Sequence, residues 1–418
     1  VSVRAAPPQG ARPLLPDGER PGLVDLRGMV LAAYLSVGSF KADPRLQWLP
    51  VDATLLLALA VAGLTCLDLL LSGFRIHRNA GWMLLLFAVF AVPVPWTEFH
   101  AYAFEKVSRF FTLTLIAAVA PFVLLRRPGA VHRFFNALCL ISAVMGIDAA
   151  LQLLQGSGDV TRLSAFGANP ISFGREMGGV LLWCAALGVE GRLRVDVAVA
   201  GVVAAGVLLV GSGSRGPLLA ALGALAAAGP LFYWRSSRVM IRFGLAAAAV
   251  AVALSLALLV SPEDSGHRIE RLARGALGAS ELTRLDAYAR SLRLIADHPE
   301  GIGWGGFAHR IDQLGTAGAD RQYPHNLILE AFLEGGWLAG LYLTLLLAGV
   351  GLRISSLRPT SEHHGVFLFY LFFLLNSMVS GDLNDNRHLF ALMAIGLHAG
   401  WDDEQAQGGA RHVGASGA

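Results

Sequence analysis

Charge is scarce in this chain. Of 418 residues only 15% are Asp, Glu, Lys or Arg, where soluble globular domains carry roughly 25%. With 55% hydrophobic residues and a mean hydropathy of +0.56, a water-soluble globular protein is excluded as the leading reading. Lysine is nearly missing: the 33 basic residues include only Lys41 and Lys106, the rest being arginine. The basic residues are dispersed and the formal net charge is +3, too mild a balance for a nucleic-acid binder. Cysteine is rare as well. Cys66, Cys139 and Cys184 all fall inside apolar runs, which gives no disulfide framework and no metal-ligand spacing; they read as small core residues. The sequence has no phosphate-loop lysine motif and no HExxH.

What the chain has in quantity is glycine, 48 residues, which permits close helix approach in lipid, and apolar runs. The runs lie at 23–40, 51–73, 80–96, 104–125, 133–155, 171–190, 195–212, 216–234, 241–260, 326–352, 364–380 and 386–401. Each is near the roughly 20 residues a bilayer crossing needs, and in lipid such runs must be helical so that every backbone group is satisfied. The expected fold is therefore all-α: a polytopic integral membrane protein with about 12 transmembrane helices. Arginine sets the orientation. The breaks after even-numbered runs carry Arg75 and Arg78; Arg126, Arg127 and Arg133; Arg192 and Arg194; Arg235, Arg238 and Arg242; Arg353 and Arg358. The opposite breaks carry few, so both termini are expected in the cytoplasm. The expected organisation is a disordered cytoplasmic tail at 1–22, nine helices over 23–260, a large periplasmic loop at 261–325, three helices over 326–401 and a cytoplasmic tail at 402–418. Within the loop, Leu282, Leu285, Ala289, Leu292 and Ala296 repeat at helical spacing among arginines. That predicts an amphipathic helix over 281–297, lying on the membrane surface or capping a cavity.

Candidate chemistry clusters at the outer ends of the runs. Gly211-Ser-Gly-Ser-Arg215-Gly-Pro217 combines backbone freedom, a helix start and a permanent positive charge, a cradle for phosphate or pyrophosphate; a tight turn with its arginine in lipid headgroups reads equally from composition. In Tyr323-Pro324-His325-Asn326, His325 sits at a helix start, where the dipole favours the neutral ring able to accept a proton; the plain alternative is an interfacial or capping histidine. Glu330 and Glu334 lie one turn apart and must each face a partner in the protein interior. Further charges, among them Glu98, Glu105, Lys106, Arg109, Arg162, Arg175, Glu176, Asp382, Asp385 and Arg387, point to a shared polar cavity or to structural pairs such as Glu105 with Arg109. Two tempting matches carry little. Gly301-Ile-Gly303-Trp-Gly305-Gly306 fits GxGxxG but lacks a preceding strand, and Asp382 with Asp385 is too few ligands for a divalent cation.

In order and spacing, several pieces resemble the O-antigen ligase/polymerase superfamily of bacterial inner-membrane polysaccharide enzymes. They are Ser214-Arg215-Gly216; Arg284 leading through Tyr288 and Leu292 to His298-Pro299-Glu300-Gly301-Ile302-Gly303; Gly306-Phe307; His325-Asn326; and Glu334-Gly335-Gly336. Where that family often has Trp after the loop arginine, this chain has Tyr288. The resemblance implies a GT-C-like helical glycosyltransferase of the inner membrane whose active site faces the periplasm. It implies transfer of a glycan from undecaprenyl pyrophosphate to an acceptor hydroxyl, either the lipid A–core of a ligase or the growing glycan of a polymerase. Arg215 and Arg284 would bind the pyrophosphate, His325 would be the general base, and Arg162, Arg175, Arg290 and Asn326 would assist. Arginines in place of a cation imply a metal-independent, cofactor-free, inverting reaction with membrane lipids as surroundings and no nucleic-acid partner. A transporter is the rival class, but no internal repeat supports it.

Overall fold

The computed structural model describes residues 25–398 except 41–42, 47, 49–50, 75, 99, 128, 155–161, 234–236, 261–278, 313–321 and 357–360. The expected terminal tails, and parts of the expected loop, lie outside the described residues. Every described regular element is helical. The helices are α1 (Leu26–Ser36), α2 (Ala53–Leu71), α3 (Ala80–Ala91), α4 (Ala101–Leu124), α5 (Ala130–Leu154), α6 (Pro170–Glu190) and α7 (Val195–Gly211). They continue with α8 (Arg215–Ala228), α9 (Ser237–Val260), α10 (Ala279–Asp297), α11 (Gly306–Asp312), α12 (Leu327–Ser356), α13 (Ser361–Ser377) and α14 (Arg387–His398). Each apolar run in the sequence falls on one of these helices.

Among the described residues, five helices are long and apolar enough to cross a membrane: Ala53–Leu71, Ala101–Leu124, Ala130–Leu154, Ser237–Ala257 and Leu327–Ser356. The outward faces explain why lipid is the fitting solvent. On α2, Leu55, Leu56, Leu59, Leu67, Leu70 and Leu71 are all exposed, an apolar surface too continuous for water. Cys66 shares that outer face and is exposed. It is therefore not a core residue, because α2 presents only one narrow side to its neighbours. Charged pairs tie the first helices together: Arg27 grips Asp68 through two bonds of 2.6 and 2.8 Å, and Arg133 holds Asp25 at 2.7 Å.

Two local irregularities shape the interior. In α4 the backbone widens to a π turn at Phe110–Thr114, the kind of insertion that re-aims side chains near functional sites. In α12 the helix breaks at Gly336, which has φ 69° and ψ −173°. The segment 299–303 fills that break. Ile302 and Gly303 donate their amides to the carbonyls of Leu333 (2.8 Å) and Glu334 (3.2 Å), while Pro299 O accepts from the Trp337 amide at 2.9 Å. The GxGxxG match is thus the plug of a broken helix. Trp304 beside it is buried among Phe90 and Phe110 and donates its indole N–H to Phe90 O at 3.2 Å.

The expected amphipathic helix is present as α10. Leu282, Leu285 and Leu292 are more than half exposed. The face that packs on the protein is Arg284, Tyr288, Ser291 and Ile295, with Ile295 in a small core with Ile302, Phe307 and Leu333. The apolar stripe therefore points away from the protein, and the mixed face carries Arg284 inward.

Candidate functional site

A cavity of about 500 Å³ lies where α1, α2, the π turn of α4, α6, α10 and the turn between α13 and α14 converge. Its volume is in the range of small-molecule sites, roughly 300–1,000 Å³. Arg109, Arg175, Arg284 and Arg387 line it together with Tyr323, His325, Glu176, Asp385, Asn384 and hydroxyls of Ser39, Thr54, Thr112 and Ser172. Of the scattered charges, Arg109, Arg175, Glu176, Asp385 and Arg387 are thus brought to one place from helices far apart in sequence, whereas Glu98, Glu105, Lys106, Arg162 and Asp382 do not line it.

His325 is placed by its neighbours. Asn326, not His325, caps α12: its Oδ1 accepts from the amides of Ile328 (3.1 Å) and Leu329 (3.0 Å). His325 just ahead sits at φ 58°, a left-handed conformation uncommon for a side chain of this size, with its ring 4.4 Å from the Tyr323 ring. The Asn326 amide and the Tyr288 hydroxyl both donate to Met378 O, each at 3.1 Å. One carbonyl therefore anchors the His325 turn and the α10 segment bearing Arg284. Burial, and then the Arg284 charge, hold the His325 imidazole below the ordinary histidine range. The helix dipole reasoning pointed the same way, but burial is the leading cause. Burial, followed by the neighbouring Asp385, pushes the Asp382 carboxyl up to about 6.

Arg175 donates to Ser380 O at 2.8 Å, and its buried Nε has no hydrogen-bond partner among the described residues. Arg387 stacks over the Tyr34 ring at 5.6 Å, and its buried Nη1 likewise has none among them. Buried guanidinium donors aimed at a cavity are suited to an anion with several oxygens. Glu176 is satisfied inside the protein, accepting from Ser142 at 2.6 Å and from Ser36 and Ser39 at 3.4 Å. Asp382 turns onto its own backbone, accepting from the amides of Asn384 and Asp385 at 2.8 Å.

Of the residues singled out in the sequence, Arg175, Arg284 and His325 line this cavity and Asn326 positions His325. Arg215 does not line it. It opens α8, where neighbouring Gly216 lies against Val379 at the cavity's edge. Arg162 is a strap on that turn, donating to Ser212 O at 2.9 Å and Ser214 Oγ at 3.0 Å. Arg290 pairs with Asp286 on α10 at 2.8 Å and is away from the cavity lining. The sequence reading did not single out Asn384, Thr54 or Thr112; neutral residues in apolar runs carry no signal until the helices are packed. It placed Arg387 only among scattered charges.

No curated protein matches the chain. Residues 200–344 match the family model described as O-Antigen ligase. That stretch contains Arg215, Arg284 and His325, whereas Arg109, Arg175, Asp385 and Arg387 complete the cavity from outside it. The match supports an activity of the O-antigen ligase or polymerase kind, and over these residues the chain is similar to the O-antigen ligase family.

Proposed function

We propose that the chain transfers a glycan from undecaprenyl pyrophosphate to an acceptor hydroxyl at the periplasmic face of the inner membrane, as an O-antigen ligase acting on lipid A–core. The observation that carries this reading is the convergence of His325 with Arg175, Arg284 and Arg387 on one cavity. In the reaction, neutral His325 takes the proton of the acceptor hydroxyl. The acceptor oxygen forms a bond to the anomeric carbon as the bond from that carbon to the pyrophosphate oxygen breaks. The pyrophosphate leaves with the bonding pair, and arginines stabilise the charge that develops on it. Attack opposite the leaving group inverts the anomeric carbon. Arg215, at the start of α8, would meet the lipid-proximal part of the same anion. The arginines supply the positive charge that a metal would otherwise bring, so transfer is expected to survive a strong chelator.

The test is reconstitution of the purified protein with a lipid-linked glycan and either lipid A–core or free glycan as acceptor. Transfer to lipid A–core supports the ligase; extension of the glycan alone makes it a polymerase. His325→Ala should lower turnover by roughly 10²–10⁴-fold, the scale of a general base, while donor binding persists. Parental turnover in that variant would remove His325 from the reaction.

A further inference from the structure

One of the two lysines in the chain is completely buried. Lys106 on α4 is 0% exposed, as is Glu330, and Glu334 is 1% exposed. Its ammonium donates to Glu330 Oε1 and, at 2.6 Å, to Glu334 Oε1, and it lies 5.6 Å from the centre of the Tyr102 ring. Asp382 is the remaining acidic group facing this cluster. Neither glutamate's second oxygen has a hydrogen-bond partner among the described residues. The two carboxylates stand one turn apart on a nine-residue half-helix, 327–335, which the break at Gly336 separates from the rest of α12. His325 precedes that half-helix by one residue, its cap Asn326. Through its backbone, the same lysine reaches the opposite wall of the cavity: Lys106 O accepts from Asn384 Nδ2 at 3.0 Å, and Asn384 Oδ1 accepts from Thr114 at 3.0 Å.

A buried ion cluster is a poor device for stability, because desolvation offsets most of its attraction. Apolar side chains would hold the half-helix to α4 as firmly. They would not fix its rotation and axial position, which two bonds to one nitrogen, spaced a turn apart, do. The choice of residue agrees. In a chain that otherwise uses arginine, a compact ammonium with three tetrahedral donors reaches two carboxylates where a planar fork of five donors does not fit. We propose that Lys106 is a positioning residue that sets His325 against the Asn384–Arg387 wall of the cavity. The inference rests on the transfer reading above for its kinetic consequence, not for its geometry.

The experiment compares the full-length parent with Lys106→Met, Lys106→Arg, Glu330→Gln and Glu334→Gln in reconstituted membranes. Donor affinity, turnover and the rate at which diethyl pyrocarbonate acylates His325, read by mass spectrometry, are measured for each. Lys106→Met should lower turnover by about 10²-fold, the effect of misplacing a reacting group by an ångström, with donor affinity unchanged and His325 acylation altered. Lys106→Arg should not restore either. Each single glutamine variant leaves one carboxylate on the lysine and should show a smaller change in the same direction. If Lys106→Met does not fold, the isosteric glutamine variants carry the same readouts. Parental turnover and acylation, or lost turnover with unaltered acylation, overturn the proposal. If the parent makes no glycosidic bond with any acceptor but Lys106→Met still alters His325 acylation, the positioning stands and the transfer reading falls.

Discussion

A histidine serves as a base only while its ring is neutral, and in this cavity burial and the Arg284 charge both favour the neutral form of His325. The sign of the pH dependence follows. Activity should hold as the pH drops past the ordinary histidine value, about 6.5, and fall only below it, as the ring finally takes a proton. Arg284→Gln removes one of the two causes and should move that acid limb to higher pH, besides weakening donor binding. Asp382, held up at about 6, titrates in the same region, so Asp382→Asn is the control and should leave the limb where it is. A pH–turnover profile of the three proteins checks this; an unmoved limb in Arg284→Gln would assign it to another group. His325 stood out in the sequence at a helix start, whereas Arg284 was singled out only through the family resemblance; both line the cavity. The pairing of Lys106 with Glu330 and Glu334 was not, because more than two hundred residues separate them. The demand for a buried partner was legible, the partner's identity was not.

At the scale of elements, the break in α12 makes the sharpest demand. Gly336 sits at φ 69°, and a Cβ there would press on the Glu300 carbonyl and lie 2.7 Å from Pro299 O. Gly336→Ala should destabilise the protein by at least about 1–3 kcal/mol, the cost of holding a side chain in such a conformation, before the displacement of the plug is counted. Gly349→Ala in the same helix, with nothing within 4 Å of its Cβ, should be neutral or slightly stabilising. Thermal unfolding in detergent compares the two, and equal midpoints would mean that the break is not fixed by the plug. The sequence could not announce this break, since glycine is common in membrane helices. For α10 the sequence placed the helix but not its rotation. A stripe of Leu282, Leu285 and Leu292 has the same pattern whether it meets protein or lipid, and only the inward turn of Arg284 and Tyr288 decides.

For the whole molecule, the arginine bias predicts an orientation that would put the site at the periplasmic end of the helices. A reporter fused near residue 130 or residue 238 is expected to read cytoplasmic, and one inserted near residue 315 to read periplasmic. A cytoplasmic signal at 315 would put His325 and the cavity arginines in the wrong compartment for a lipid-linked donor. Each apolar run was legible as a helix, with ends that differ by several residues, as 23–40 against Leu26–Ser36 and 80–96 against Ala80–Ala91, because hydrocarbon tolerates no polar backbone and so enforces continuous helices. The cavity was legible only as a bias of charge to one side. It is assembled from α1, α2, α4, α6, α10, the turn before α12 that carries His325 and the α13–α14 turn, and no linear pattern encodes such a meeting point.

The plugged helix also bears on how the chain is made. A helix that enters the bilayer with a break exposes carbonyls to hydrocarbon, at a cost of several kcal/mol for each unsatisfied group. Here the groups that close the break, the amides of Ile302 and Gly303, leave the ribosome before Leu333 and Gly336 do. The filler is therefore synthesised before the gap. Chain order alone makes segment 299–303 available to close the break as soon as the helix from Leu327 to Ser356 forms.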